Sequence, residues 1–84
     1  MNDDFFFWKD LEARIGDAET RYGDFASTHE ALGVACEEWD ELRDAIRSNN
    51  LQSVEHECLD LAAVLIRLAQ SLRVSTQAQL RSVK

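Results

Sequence analysis

Five carboxylates in the middle of the chain have the spacing that metal-assisted chemistry needs. Glu37, Glu38 and Glu41 form one cluster, Glu57 and Asp60 a second, and 15 residues separate Glu41 from Glu57. Side chains three apart on a helix are surface neighbours, with Cβ atoms roughly 5–6 Å apart, so Glu38 pairs with Glu41 and Glu57 with Asp60. Two such pairs facing each other make an all-oxygen cage for a hard cation. Mg²⁺ suits an open cage of this kind, because it is held by few carboxylates and completes its shell with water and substrate phosphates.

The pattern of charges around these acids is unusual for a solvated helix face. Exposed helical acids are commonly offset by Lys or Arg three or four positions away, and Asp40 and Asp44 have such partners in Arg43 and Arg47. Glu37, Glu38, Glu41, Glu57 and Asp60 have none at that spacing. They neighbour one another, and each like-charge pair costs a helix roughly 0.2–0.5 kcal/mol. A bound cation would relieve that repulsion. Convergence of all five predicts that Asp60→Asn melts no lower than the parent protein in the absence of metal.

The elements that must carry these residues are helices. The 84 residues include no proline and three glycines, with no low-complexity segment and no fixed-period repeat, so the chain reads as one all-α domain spanning 1–84. A first helix is expected from about Asn2–Asp4 to Arg21, with Phe5, Trp8, Leu11 and Ile15 as its apolar positions and Phe6 and Phe7 widening the aromatic surface. Tyr22-Gly23-Asp24 breaks it. Ser27 and Glu30 then supply a capping box for a second helix, whose stripe is Ala31, Ala35, Trp39, Leu42 and Ile46. Ser48-Asn49-Asn50 ends it. A third helix is expected from Leu51 or Ser53 to Ser71 on the stripe Val54, Cys58, Leu61, Leu65 and Leu68, followed by a break at Arg73–Ser75 and a short last helix from Thr76 to Lys84. The short connection between the second and third helices makes them an antiparallel hairpin on which the acid pairs converge.

Composition excludes several classes of function. The net charge of −7, with 16 acids against 9 dispersed bases, argues against binding a nucleic-acid backbone. The longest apolar run, Leu61 to Ile66, is far too short to span a bilayer, and the N-terminus lacks a basic leader, so a cytoplasmic protein is expected. Two cysteines, Cys36 and Cys58, read as reduced core thiols. His29-Glu30 and His56-Glu57 open like a zinc-protease helix, but the required second histidine is replaced by Gly33 and Asp60. His56 and Cys58, two apart, do not share a helix face. The apolar fraction of 45% on so short a chain, together with Phe5 to Trp8, points to association with a second copy.

Glu37-Glu38-x-x-Glu41, a gap of 15 and Glu57-x-x-Asp60 resemble the signature of the MazG-like all-α nucleoside triphosphate pyrophosphohydrolases. His29-Glu30-Ala31 and the continuation Ala62-Ala63-Val64-Leu65-Ile66-Arg67 are similar to the same family, and the resemblance covers about half the chain. It implies an all-α fold completed as a helical bundle by dimerisation, sometimes with dimers paired into tetramers. It also implies Mg²⁺-dependent hydrolysis of a nucleoside triphosphate to the monophosphate and pyrophosphate. By this resemblance Glu38, Glu41, Glu57 and Asp60 are the metal ligands, and Glu37 and Glu38 are the catalytic pair, with Glu37 orienting or deprotonating the attacking water. Arg43, Arg67 and Lys9 are available as basic help for the phosphates, although each taken singly reads as a surface charge. The chain departs from the family in having only about ten residues after Val74, where relatives place further phosphate- and base-holding side chains. A non-catalytic dimerisation or regulatory module that keeps a divalent-cation site is the alternative.

Overall fold

The computed structural model describes residues 3–82, with the side chains of residues 4–73. Three helices make up the fold: α1 (Asp3–Tyr22), α2 (Thr28–Arg47) and α3 (Leu51–Ser82). The capping role expected of Asn2, and residues 83 and 84, lie outside the described residues.

Local chemistry sets each boundary. At the end of α1, Gly23 adopts φ +68° and its N–H donates to the Glu19 carbonyl at 2.9 Å, the left-handed helix stop that glycine enters without steric cost. The Ser27 hydroxyl accepts the Glu30 N–H at 3.1 Å and opens α2, as its sequence predicts, while the Glu30 carboxylate accepts the Ala26 N–H, one residue further out than a standard box. Asn49 closes α2 at φ +59°, a conformation asparagine tolerates, with its N–H donating to the Ile46 carbonyl at 3.1 Å. Asn50 then caps α3 through its side-chain oxygen, which accepts the Ser53 N–H. So tight a link turns α2 and α3 into the expected antiparallel hairpin.

The break expected at Arg73–Ser75 does not occur, and α3 runs unbroken for 32 residues. Val74, Ser75 and Thr76 are mediocre helix formers, each costing only tenths of a kcal/mol, and without glycine or proline nothing stops the helix.

Both α1 and α2 pack on α3. Leu11 of α1 meets Leu59 and Ala63 of α3, with Ile15, Ala62 and Ile66 around them. On the other side Ala31, Leu42 and Ala45 of α2 and Val64 of α3 are buried. Arg67 is also buried, donating to the Gly23 carbonyl at 2.7 Å with its guanidinium 4.5 Å from the Phe25 ring centroid, and so ties the α1–α2 connection to α3.

The apolar face of α3 is rotated from the expected one. Leu59, Ala63 and Val64 are buried, whereas Cys58 and Leu65 face outward. Phe5 and Trp8 are exposed rather than core, as are Phe6, Phe7, Trp39 and Ile46. Both cysteines are free and exposed, not the core thiols expected. No helix among the described residues is long and apolar enough to cross a membrane.

The three glycines make opposite predictions. Gly16 and Gly33 lie inside helices with nothing within 4 Å of an added Cβ, so Gly16→Ala and Gly33→Ala should each stabilise by up to about 1 kcal/mol. Gly23 has the same open space but a left-handed backbone, so Gly23→Ala should destabilise by about 1–2 kcal/mol. Urea melts of the three variants check the signs.

Candidate metal centre

The hairpin brings three of the predicted ligands together. Glu38 and Glu41 stand one turn apart on α2, Glu57 faces them from α3, and one carboxylate oxygen of each lies within 4.8 Å of the others. Among the described residues no lysine or arginine forms an ion pair with any of the three. One oxygen each of Glu38 and Glu57 is shielded from water and has no hydrogen-bond partner. An acceptor in that state forfeits its hydration for nothing, a cost of about 1–3 kcal/mol and more for a charged group.

The electrostatics follow from that geometry. Glu38 is pushed up to about 7, first by burial, then by the charges of Glu41, Asp60 and Glu57 and a hydrogen bond with Glu41. Glu57 is also raised, by burial first and then by its hydrogen bond and charge interaction with Glu41. A proton is the cation that holds the cluster together when no other is bound. The donor set suits a hard divalent cation such as Mg²⁺ or Ca²⁺: oxygens only, from two helices, with one oxygen each of Glu38 and Glu57 that has no partner.

Asp60 departs from the four-carboxylate expectation. Its Oδ1 accepts from Arg14 Nη1 at 2.7 Å, across the α1–α3 interface, and its Oδ2 lies 3.4 Å from His56 Nε2. Asp60 therefore groups with His56 and Glu57 and is already neutralised by an arginine of another helix. The expectation that Asp60→Asn melts no lower than the parent is withdrawn, since the substitution breaks a half-buried ion pair. Arg14 was not legible as a partner because its nearest acid in sequence is Asp10, which it also holds at 3.0 Å, and nothing local links it to a residue 46 positions away.

Glu37 is exposed and stands outside both groups. With Glu38 and Asp60 it lines a cleft of about 530 Å³ between α1 and α2, floored by α3. That volume lies in the range of small-molecule sites. Arg14, Arg21 and Arg67 also line it: Arg14 is held by Asp10 and Asp60, Arg21 lies 3.8 Å from Asp17, and Arg67 donates to the Gly23 carbonyl while its buried Nε has no partner. Of the other candidate phosphate partners, Arg43 lies 3.5 Å from Asp40 and Lys9 lies 3.3 Å from Glu12, both on exposed surface.

Raised carboxyl groups make stability depend on pH. The unfolded chain gives up the Glu38 proton in the ordinary glutamate range, while the folded protein keeps it to about pH 7. The folded state thus holds more protons between those limits, so metal-free stability should be greatest on the acid side, fall as pH rises through that window and level off above it. Glu38→Gln should flatten much of the slope. Thermal melts from pH 5 to 8 without divalent ions check this, and a slope unchanged in Glu38→Gln would count against it.

Compared with protein-family models, curated proteins and solved structures, the chain matches none.

Proposed function

We propose that the protein is a Mg²⁺-dependent nucleoside triphosphate pyrophosphohydrolase of the MazG-like all-α kind, acting as a cytoplasmic homodimer or a pair of dimers. The observation that carries this reading is the convergence of Glu38, Glu41 and Glu57, with two buried, unpartnered oxygens, beside a cleft of nucleotide size. When bound, Mg²⁺ supplies neutralisation of the triphosphate charge at the reacting phosphorus. Glu38, Glu41 and Glu57 hold the ion. Glu37, on the cleft wall next to Glu38, orients the water and accepts its proton as the water oxygen bonds to the α-phosphorus and the bond to the bridging oxygen breaks. Pyrophosphate leaves with the bond's electron pair, and the monophosphate remains.

A specific observation favours the second reading, a cation-binding module without catalysis. Of the three arginines lining the cleft, Arg14 is held by Asp10 and Asp60, and Arg67 is buried on the Gly23 carbonyl with its Nε unpartnered. Only Arg21, 3.8 Å from Asp17, is largely exposed, so a polyphosphate there meets little uncommitted positive charge. Incubation with a nucleotide mixture and Mg²⁺, scored for pyrophosphate release, separates the two. The enzyme reading expects turnover that falls by about 100-fold or more in Glu38→Gln and in Glu57→Gln. Mg²⁺ binding without turnover of any triphosphate would establish the module instead.

Dimerisation rests on a surface pattern. Leu32, Trp39 and Ile46 on α2, and Leu51, Cys58, Leu65 and Leu72 on α3, recur every seventh residue and are all exposed. Each helix also has cleft-lining residues two positions from these, Glu30 and Glu37 on α2, Asp60 and Arg67 on α3. Two positions are about 200° of helix rotation, so the stripes face away from the cleft. A repeat of seven is the seam that another helical hairpin packs against, and a second copy supplies one, closing a four-helix bundle that leaves the cleft open. Sedimentation at micromolar concentration should give twice the 9.6 kDa chain mass. Leu65→Glu, whose cost on a free surface would be within about 0.5 kcal/mol, should yield monomers.

A further inference from the structure

The carboxylates of the hairpin form two groups that share Glu57. One is Glu38, Glu41 and Glu57; the other is His56, Glu57 and Asp60. By donor chemistry the second group is as good a cation site as the first, and its imidazole would broaden its metal range. Its surroundings differ in one respect. Arg14 reaches across from α1 and lies on it.

Four of the five guanidinium N–H groups are accounted for around this point. Nη1 donates to Asp60 Oδ1 at 2.7 Å and to the His56 carbonyl at 3.0 Å, Nη2 donates to His56 Nδ1 at 3.0 Å, and Nε donates to Asp10 Oδ1 at 3.0 Å. Because arginine can only donate, His56 Nδ1 must be the acceptor, which places the ring proton of the neutral imidazole on Nε2, facing Asp60 Oδ2. Neither ring nitrogen then offers a free lone pair, and Asp60 has an oxygen on each partner. Glu38, Glu41 and Glu57 have no such occupant: the unpartnered oxygen of Glu38 lies in that group alone, and that of Glu57, the residue common to both, receives none of the Arg14 hydrogen bonds.

We propose that Arg14 is the built-in cation of the His56–Glu57–Asp60 group, and that it limits the protein to a single divalent ion, held by Glu38, Glu41 and Glu57. This rests on the metal-site reading above and deepens it. Arg14 is here a positioning residue: it fixes Asp60 and His56 and excludes a second ion by charge and by occupancy of their lone pairs. The same contacts dock α1 onto α3 beside the site, so the residue that sets the ion count also helps form one wall of the cleft.

The test counts ions rather than product. Mn²⁺ serves as a paramagnetic stand-in for Mg²⁺, with bound and free ion distinguished by electron paramagnetic resonance and Mg²⁺ competition run in parallel. Wild type should bind one ion per chain. Arg14→Gln should bind two, Arg14→Lys should stay at one because its ammonium keeps the charge, and the double variant Arg14→Gln with Asp60→Asn should return to one. Circular dichroism melts establish that each variant is folded, and the wild-type count stands alone if Arg14→Gln is not. Two ions on wild type, or one on folded Arg14→Gln, would overturn this inference while leaving the metal site intact. No ion on wild type or on any variant would overturn both.

Discussion

Everything in this molecule hangs on α3 serving two neighbours at once. A chain of 84 residues cannot wrap a third layer around its core, so α1 and α2 each take part of the surface of one long helix. Among the described residues three of the seven buried apolar side chains are alanines, Ala31, Ala45 and Ala63, which let backbones approach but bury little area each. No large side chain among the described residues is completely buried. The cleft is the geometric remainder of this arrangement: two helices that share a third but diverge from each other must leave a trough over it. Arg67 closes one end of that trough by holding the α1–α2 connection, and Arg14 ties α1 down near the other.

Within that frame the carboxylates are stable for two different reasons. Asp60 has an arginine, and its charge is an asset to the α1–α3 interface. Glu38 and Glu57 have only each other and Glu41, and they remain in place by keeping protons that free glutamates would lose. The two halves of a repeated-looking motif, Glu-x-x-Glu and Glu-x-x-Asp, therefore belong to different electrostatic environments. Spacing alone does not distinguish them.

Much of the architecture could be read from the residues because the signals were local. Ser27 with Glu30, Gly23, and the Ser48-Asn49-Asn50 link act within a few positions, and the structure uses each as a boundary. Three acids of the site could be placed because one-turn spacing and a short hairpin leave little freedom. The phase of α3 could not, since its sequence carries two apolar stripes, one through Leu59 and Ala63 and one through Cys58 and Leu65, and the larger side chains mark the outward one. Volume misled where contact geometry decided. The run of α3 past Ser71 depended on the lack of a strong stop, and the residues that weaken it are only mild. The Arg14–Asp60 pair was illegible because a long-range ion pair leaves no trace in spacing.

The near-neutral value of Glu38 gives the cluster a role in proton exchange. With Glu38 raised to about 7, a proton occupies the cluster where an incoming ion would need a bare oxygen, so ion binding near neutral pH would expel a fraction of a proton into the medium. The heat of binding would then contain the ionisation heat of whatever buffer takes up that proton, and the same ion would bind with different apparent enthalpies in phosphate and in Tris. The exchange would run in both directions: a fall in pH would weaken metal binding without any change in metal concentration, and a rise in free metal would release protons from the cluster.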